Sequence, residues 1–260
     1  MFDKYLNRPN SLIPSEHQEI LNSNNQLNTS EILKRDRIND LFKKGYLHGE
    51  NGYLRNDDGS TYVSVLTKMP KVSVNMINWW FWWHANEAVR YQIWYPEMHF
   101  SVQADFQDKY LDDSLSYSQR LHLSTHLVTE DIGLGKDKIL IDFMSPESFG
   151  FNKKNLSPEN TIICARVGSP DKHVWATDMC HFVRTTESGV EMRSRFWIGY
   201  EVERISGFGK KILDKILNLS IVKSKLIPSS VGKAMFHHCS QEYHNLADIL
   251  PSVYEEHHTS

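Results

Sequence analysis

Taken together, His99, Glu130, His238 and Glu242 have the side-chain types of a metal-ligand set, although His126 and Glu130 make a second His-x-x-x-Glu pair beside His238 and Glu242. His238 and Glu242 are four apart, so on a helix both project the same way, about one turn from each other. That is how a helix offers two ligands to one cation. Two imidazoles and two carboxylates drawn from three separate elements suit zinc, whose catalytic sites mix nitrogen and oxygen donors and keep a position for water or substrate. Iron or manganese would accept the same donors. Neighbours compete for each role, because His122 or His126 could replace Glu130, and His237 or Gln241 could form the helix pair on a rotated helix.

The elements that must position these groups are organised around residues 78–99, which hold five of the chain's seven tryptophans. Met76, Trp79, Trp80, Trp83, Ala88 and Val89 recur at helical spacing with aromatics between them. A helix apolar on nearly all sides is buried on nearly all sides or lines a cavity. The run is far short of the ~20 residues that a membrane span needs. Pro96 ends any helix by Tyr95, so His99 begins a new element. Residues 121–130 alternate as a strand, with His122, Ser124, His126, Val128 and Glu130 on one face and Leu121, Leu123, Thr125, Leu127 and Thr129 on the other.

Further strands are expected at 61–67, 138–143 and 161–167, with a hairpin of two long strands around Glu187-Ser188-Gly189. Helices are expected at 14–22, at 30–44 behind a Ser30 cap, and at 207–223, whose amphipathic face could meet another chain. A last helix at 231–250 is closed by Pro251. The layout is an α+β fold, a curved antiparallel sheet with a C-terminal helix. Residues 1–56 form an N-terminal helical extension and 57–260 the main domain.

The net charge of −3 comes without a basic run, which argues against nucleic acid and anionic membrane surfaces as partners. Three widely spaced cysteines fit a reducing compartment, and the polar N-terminus reads as no signal peptide, so a cytoplasmic protein is expected.

The tryptophan-rich segment running into Tyr91-Gln-Ile-Trp-Tyr-Pro-Glu-Met-His99, then Glu130, Arg193-Ser-Arg-Phe-Trp-Ile-Gly199 and His238-x-x-x-Glu242 resemble the 2,4-diacetylphloroglucinol and phloretin hydrolase family. The resemblance covers roughly residues 60–250. It implies a Bet v 1-like helix-grip domain and a zinc-dependent hydrolase that cleaves the carbon–carbon bond between a polyphenol ring and its acyl group. By motif, His99, Glu130, His238 and Glu242 would be the metal ligands, and Tyr91 would hydrogen-bond a ring hydroxyl. His84 and Tyr200 would join Tyr91 in stabilising enolate-like charge on the ring, and Trp79, Trp83, Trp94, Val102 and Trp197 would bound the substrate. Two departures stand out: Val102 occupies the place of an asparagine that would hold a second hydroxyl, and Trp94-Tyr95-Pro96 replaces Trp-His-Pro. The partner implied is a small acylated phenol, with a homodimer left open. The alternative to an enzyme is a helix-grip protein that binds an aromatic ligand and no metal.

Overall fold

A computed structural model describes residues 2–23, 25–105, 111–122, 124–207 and 209–258. Its strands are β1 (Gly52–Arg55), β2 (Thr61–Pro70), β3 (His99–Ala104), β4 (Thr125–Glu130), β5 (Asp137–Met144), β6 (Asn160–Ser169), β7 (Val174–Thr186) and β8 (Gly189–Arg204), and among its helices α1 (Asp3–Leu6) and α2 (Ser15–Ser23) precede the sheet while α6 (Pro146–Phe149) follows β5. They form one antiparallel sheet in the order β1-β2-β8-β7-β6-β5-β4-β3. The turn at 56–59 joins β1 to β2, so the chain before residue 57 supplies the sheet's first strand.

Period-two alternation along β8 divides the molecule into two cores. Phe196 and Ile198 face the concave side, where they meet the tryptophan-rich helix α3 (Val74–Trp83) and the C-terminal helix α9 (Val231–His257). Trp197 faces the convex side, packed with Tyr62, Cys180 and Phe182 under Leu33, Ile38 and Leu41 of the N-terminal segment. The sheet gripping α9 is the helix-grip arrangement. Two glycines set its shape. At Gly189 (φ 155°) a Cβ would lie 2.4 Å from the Met69 carbonyl oxygen, and at Gly199 (φ 71°) it would lie 1.9 Å from Ile227 Cδ1. Gly199 sits where the β7–β8 register jumps, and the interruption there adds local twist and bend to β8.

Several elements depart from the periodicity reading. The helix expected at 30–44 is a 3₁₀ stretch, Arg35–Phe42, kinked at Arg37, with Ser30 outside it. The tighter coil buries Ile38 and Leu41 while Arg35 reaches Asp178 and the Phe149 carbonyl. The tryptophan helix stops at Trp83, passes through a 3₁₀ turn and breaks at Glu87 (φ −146°), before the short α4 (Ala88–Gln92). Leu121 belongs to α5 (Tyr117–Leu121) and His122 to the turn after it, so β4 starts only at Thr125. Leu123 lies outside the described residues.

The amphipathic run after residue 207 is two helices, α7 (Lys210–Leu217) and α8 (Ser220–Leu226). Asn218 divides them by turning its side chain onto the backbone N–H and C=O of Val202. Ile212, Ile216, Leu219 and Ile221 of this region are exposed. α9 runs through Pro251 to His257. Losing one helical bond there costs about 3 kcal/mol. Burial of Val253 and the Trp79–Tyr254 ring contact in the last turns offset it. No helix among the described residues is long and apolar enough to cross a membrane.

Candidate metal centre and aromatic cavity

His99 is fixed by the turn before it, where Met98 and His99 both donate backbone N–H bonds to the Tyr95 carbonyl. Antiparallel register sets it opposite Glu130, and a bulge between His99 and Ser101 lets His99, Val102 and Ala104 all stay buried. His238 and Glu242 lie on the inner face of α9, while His237 is exposed and Gln241 bonds the Ser11 carbonyl, so the helix rotation is settled.

The three groups converge. Nε2 of His99 is 3.4 Å from Nε2 of His238 and 3.6 Å from Glu242 Oε2, and His238 Nε2 is 3.8 Å from that oxygen. Donors about 2.0–2.1 Å from a tetrahedral ion stand roughly 3.3–3.4 Å apart, so this triangle fits one cation. His99 Nδ1 lies 3.2 Å from the Tyr91 carbonyl, which can only accept. The proton therefore sits on Nδ1 and the Nε2 lone pair faces His238 and Glu242, the outer-shell arrangement of a ligating histidine. His238 Nδ1 is buried with no hydrogen-bond partner among the described residues.

The electrostatics agree with the geometry. Burial, with His238 beside it, pushes His99 well below the usual imidazole range. Burial, with His237, pushes His238 down to about 4. Burial and then Glu130 push the Glu242 carboxyl well above its ordinary value. Two neutral imidazoles beside a carboxylate that resists uncompensated charge make a donor set suited to a cation.

Glu130 stands beside this triangle rather than in it. Its Oε2 accepts a 2.5 Å hydrogen bond from Tyr91 Oη, and burial raises its pKa. The Tyr91 ring stacks on His99 with centroids 4.1 Å apart and an interplanar angle of 1°. Behind Tyr91, Glu130, His238 and Glu242 opens a cavity of about 100 Å³ with Phe81, Trp94, Phe143 and Phe196 in its walls. Trp94 also donates its indole N–H to the Glu242 carbonyl at 2.9 Å, tying the turn that carries His99 to α9. The polar face of β4 thus looks inward, with His126, Val128 and Glu130 on the cavity wall.

Of the residues expected around the substrate, Trp94, Tyr91 and His84 line this cavity, and the others are elsewhere. Trp79 stacks on Trp83, and Trp83 continues onto Phe2 and His257, so both belong to the packing of α3 against α9 and the N-terminus. Trp197 is on the opposite face of β8 from Phe196 and donates to the Leu33 carbonyl. Tyr200, beyond the Gly199 bend, borders a surface hollow with Asn56 and Asp58. Val102 is core, paired with Val128.

Sequence reasoning missed His181 and Tyr243, both in the cavity wall and joined by a 2.9 Å hydrogen bond, with Ser194 on the other ring nitrogen. The inward parity of β7 and the position next to Glu242 were the signals available. A larger, open groove of about 1010 Å³ lies between α3, α5 and the 145–162 segment, with no ligating cluster among the described residues.

The DAPG hydrolase PhiG domain profile matches residues 33–255. Phloretin hydrolase from Eubacterium ramulus is 32% identical over 202 residues, 76% of this chain and 69% of that protein. A 2,4-diacetylphloroglucinol hydrolase from a Pseudomonas species is 26% identical over 224 residues, 84% of this chain and 75% of that protein. Among solved structures, norcoclaurine synthase from Thalictrum flavum aligns with a TM-score of 0.36 at 13% identity, over 83% of this chain and 98% of that one. The matched span contains every group of the centre, and the chain belongs to the DAPG hydrolase family.

Proposed function

We propose that the protein is a zinc-dependent hydrolase that cleaves the bond between an acyl carbon and a phloroglucinol-type ring, releasing a carboxylic acid and the deacylated phenol. The observation that carries this reading is the meeting of His99, His238 and Glu242 within 4.8 Å at one end of an aromatic-walled cavity. These three, with Glu130 completing the set, would hold the ion. When bound, zinc supplies Lewis acidity and lowers the pKa of water toward neutrality.

The chain's own residues do the rest. Phe81, Trp94, Phe143 and Phe196 take up the ring and exclude water, which strengthens each polar contact inside. Tyr91 Oη donates a hydrogen bond to Glu130 Oε2. On substrate entry Tyr91 transfers that hydrogen bond to a ring oxygen and leaves Glu130 free to serve the centre. The leaving group is a ring carbon, so the ring reacts as its keto tautomer. As a water oxygen bonds to the acyl carbon, the electron pair of the broken acyl–ring bond moves onto a ring oxygen, which the Tyr91 hydroxyl stabilises, and the ring carbon keeps the proton it carries in the keto tautomer.

The test is incubation of the zinc-loaded protein with 2,4-diacetylphloroglucinol and phloretin, following carboxylic acid and free phenol by chromatography. The reading predicts equimolar release that stops on chelation and returns with zinc. No release from either compound by protein of verified metal content would overturn it.

A further inference from the structure

We infer that His84 and His126 form a hydroxyl-reading pair that selects a ring carrying two free O–H groups. The inference rests on the cavity being the substrate site and adds residues that choose the substrate.

Hydrogen bonds fix the tautomer of each ring. His84 is buried, and its Nδ1 lies 2.8 Å from the Trp80 carbonyl oxygen. A carbonyl only accepts, so Nδ1 carries the proton. Burial holds the ring neutral, with a pKa of about 4, and Nε2 is a bare acceptor. His126 reaches the same condition by a longer route. Its Nε2 lies 3.0 Å from Ser124 Oγ, and Ser124 Oγ lies 3.0 Å from the Leu121 carbonyl. A hydroxyl has one hydrogen to give, and the Leu121 carbonyl takes it. Ser124 must then accept from His126, which puts the proton on Nε2 and leaves Nδ1 bare. Each ring is thus held through its protonated nitrogen, and both rings stand in the cavity wall.

The two ring centroids are 6.0 Å apart and the planes lie at 76°. Their surroundings are apolar: Phe143 lies 4.7 Å from His126, Phe81 lies 5.8 Å from His84, and Val128 and Ile141 complete the wall. Two acceptors in an apolar wall favour a ligand that brings two donors, and disfavour one whose oxygens are methylated or ionised. A methyl ether fills the space and leaves an imidazole nitrogen unpaired, which weakens binding roughly 10- to 100-fold for each hydroxyl lost. The ligand class is an aromatic ring with two free hydroxyls, read as neutral phenols at the end of the cavity formed by His84 and His126.

The experiment uses the full-length, zinc-loaded protein with resorcinol, its monomethyl ether and its dimethyl ether, measuring Kd by tryptophan fluorescence. In parallel, histidine-labelled protein is followed by ¹⁵N NMR. The expected results are stepwise loss of affinity across the three ligands, a His84 signal of the Nδ1–H form and a His126 signal of the Nε2–H form. Both bare nitrogens shift upfield when resorcinol binds. His84→Phe and His126→Phe each reduce resorcinol affinity to that of the monomethyl ether without changing dimethyl ether binding. Equal affinity for resorcinol and its dimethyl ether, or unshifted imidazole nitrogens in the resorcinol complex, would overturn the inference, and the NMR arm needs no variant to fold. Failure of acylphenol cleavage with this selectivity intact would count against the hydrolase reading alone.

Discussion

Glu50→Gln is expected to destabilise the protein by about 3 kcal/mol, and the number follows from one buried cluster. Glu50 receives Arg193 Nη2 at 2.5 Å and Nε at 3.0 Å, Arg195 Nη2 at 2.5 Å and the Leu47 backbone N–H at 2.7 Å. Both arginine side chains are fully buried and the Glu50 side chain is 10% exposed. Burial alone would raise the carboxyl, but the charges and hydrogen bonds of Arg195 and Arg193 hold it down at about 2, against 4.5 for the free group. At about 1.4 kcal/mol per pH unit, that gap corresponds to roughly 3 kcal/mol. The amide neutralises the charge and leaves two buried guanidinium groups without a counterion.

Because the folded-state pKa lies below the unfolded value, the stabilisation is complete above pH 4.5 and is lost as pH falls toward 2. Urea unfolding of wild type and Glu50→Gln across pH 7 to 2 reads this directly. The difference should be constant above pH 5 and shrink below 4.5. A difference under about 1 kcal/mol at pH 7, or one that does not change with acid, would refute the argument. The consequence reaches the site, because Ser194, between the two arginines on β8, holds His181 in the cavity wall.

Tyr91→Phe removes the donor to Glu130, and kcat is expected to fall about 10²-fold with KM changed far less, measured on an acylphenol. The N-terminal arm links the two halves of the metal centre: Arg8 bonds the Trp94 carbonyl, and Asn10 bridges Glu97 and Asn245. Arg8→Ala with Asn10→Ala should weaken zinc binding about tenfold in a chelator competition, with the fold retained by circular dichroism. Burial holds His17 and His122 neutral down to about pH 4, below the unfolded value of 6.5, so unfolded chains take up protons first. Stability should therefore fall as pH drops from 6.5 to 5, by roughly 2 kcal/mol per ring, and His17→Phe should remove its share in denaturant melts.

What the sequence made legible were the short-range patterns. His238 and Glu242 share a helix face because four-residue spacing requires it, and the Pro96 break put His99 at the head of a strand. The β7–β8 hairpin followed from Glu187-Ser188-Gly189. What stayed hidden depended on long-range register. Whether Phe196 or Trp197 faces the cavity is decided by the pairing of β8 with β2 and β7, and alternation gives two faces without saying which is inside. His122 looked like a member of the polar face of β4, but the capping box at Ser116 and Gln119 starts a short helix that removes it. Pro251 looked like a stop, and tertiary burial of Val253 overrode it. The helix near residue 87 broke for a related reason: the two halves of the aromatic run pack in different directions, Trp83 toward the N-terminus and Trp94 toward α9.

The measurement closest to the central claim is the metal content of the purified protein beside His238→Ala and Glu242→Ala. Elemental analysis after zinc loading and desalting should find about one zinc per chain in the wild type and a loss in both variants. Wild-type protein that holds no zinc when it is supplied, or variants that keep a full equivalent, would contradict the assignment of His99, His238 and Glu242 as a cation site.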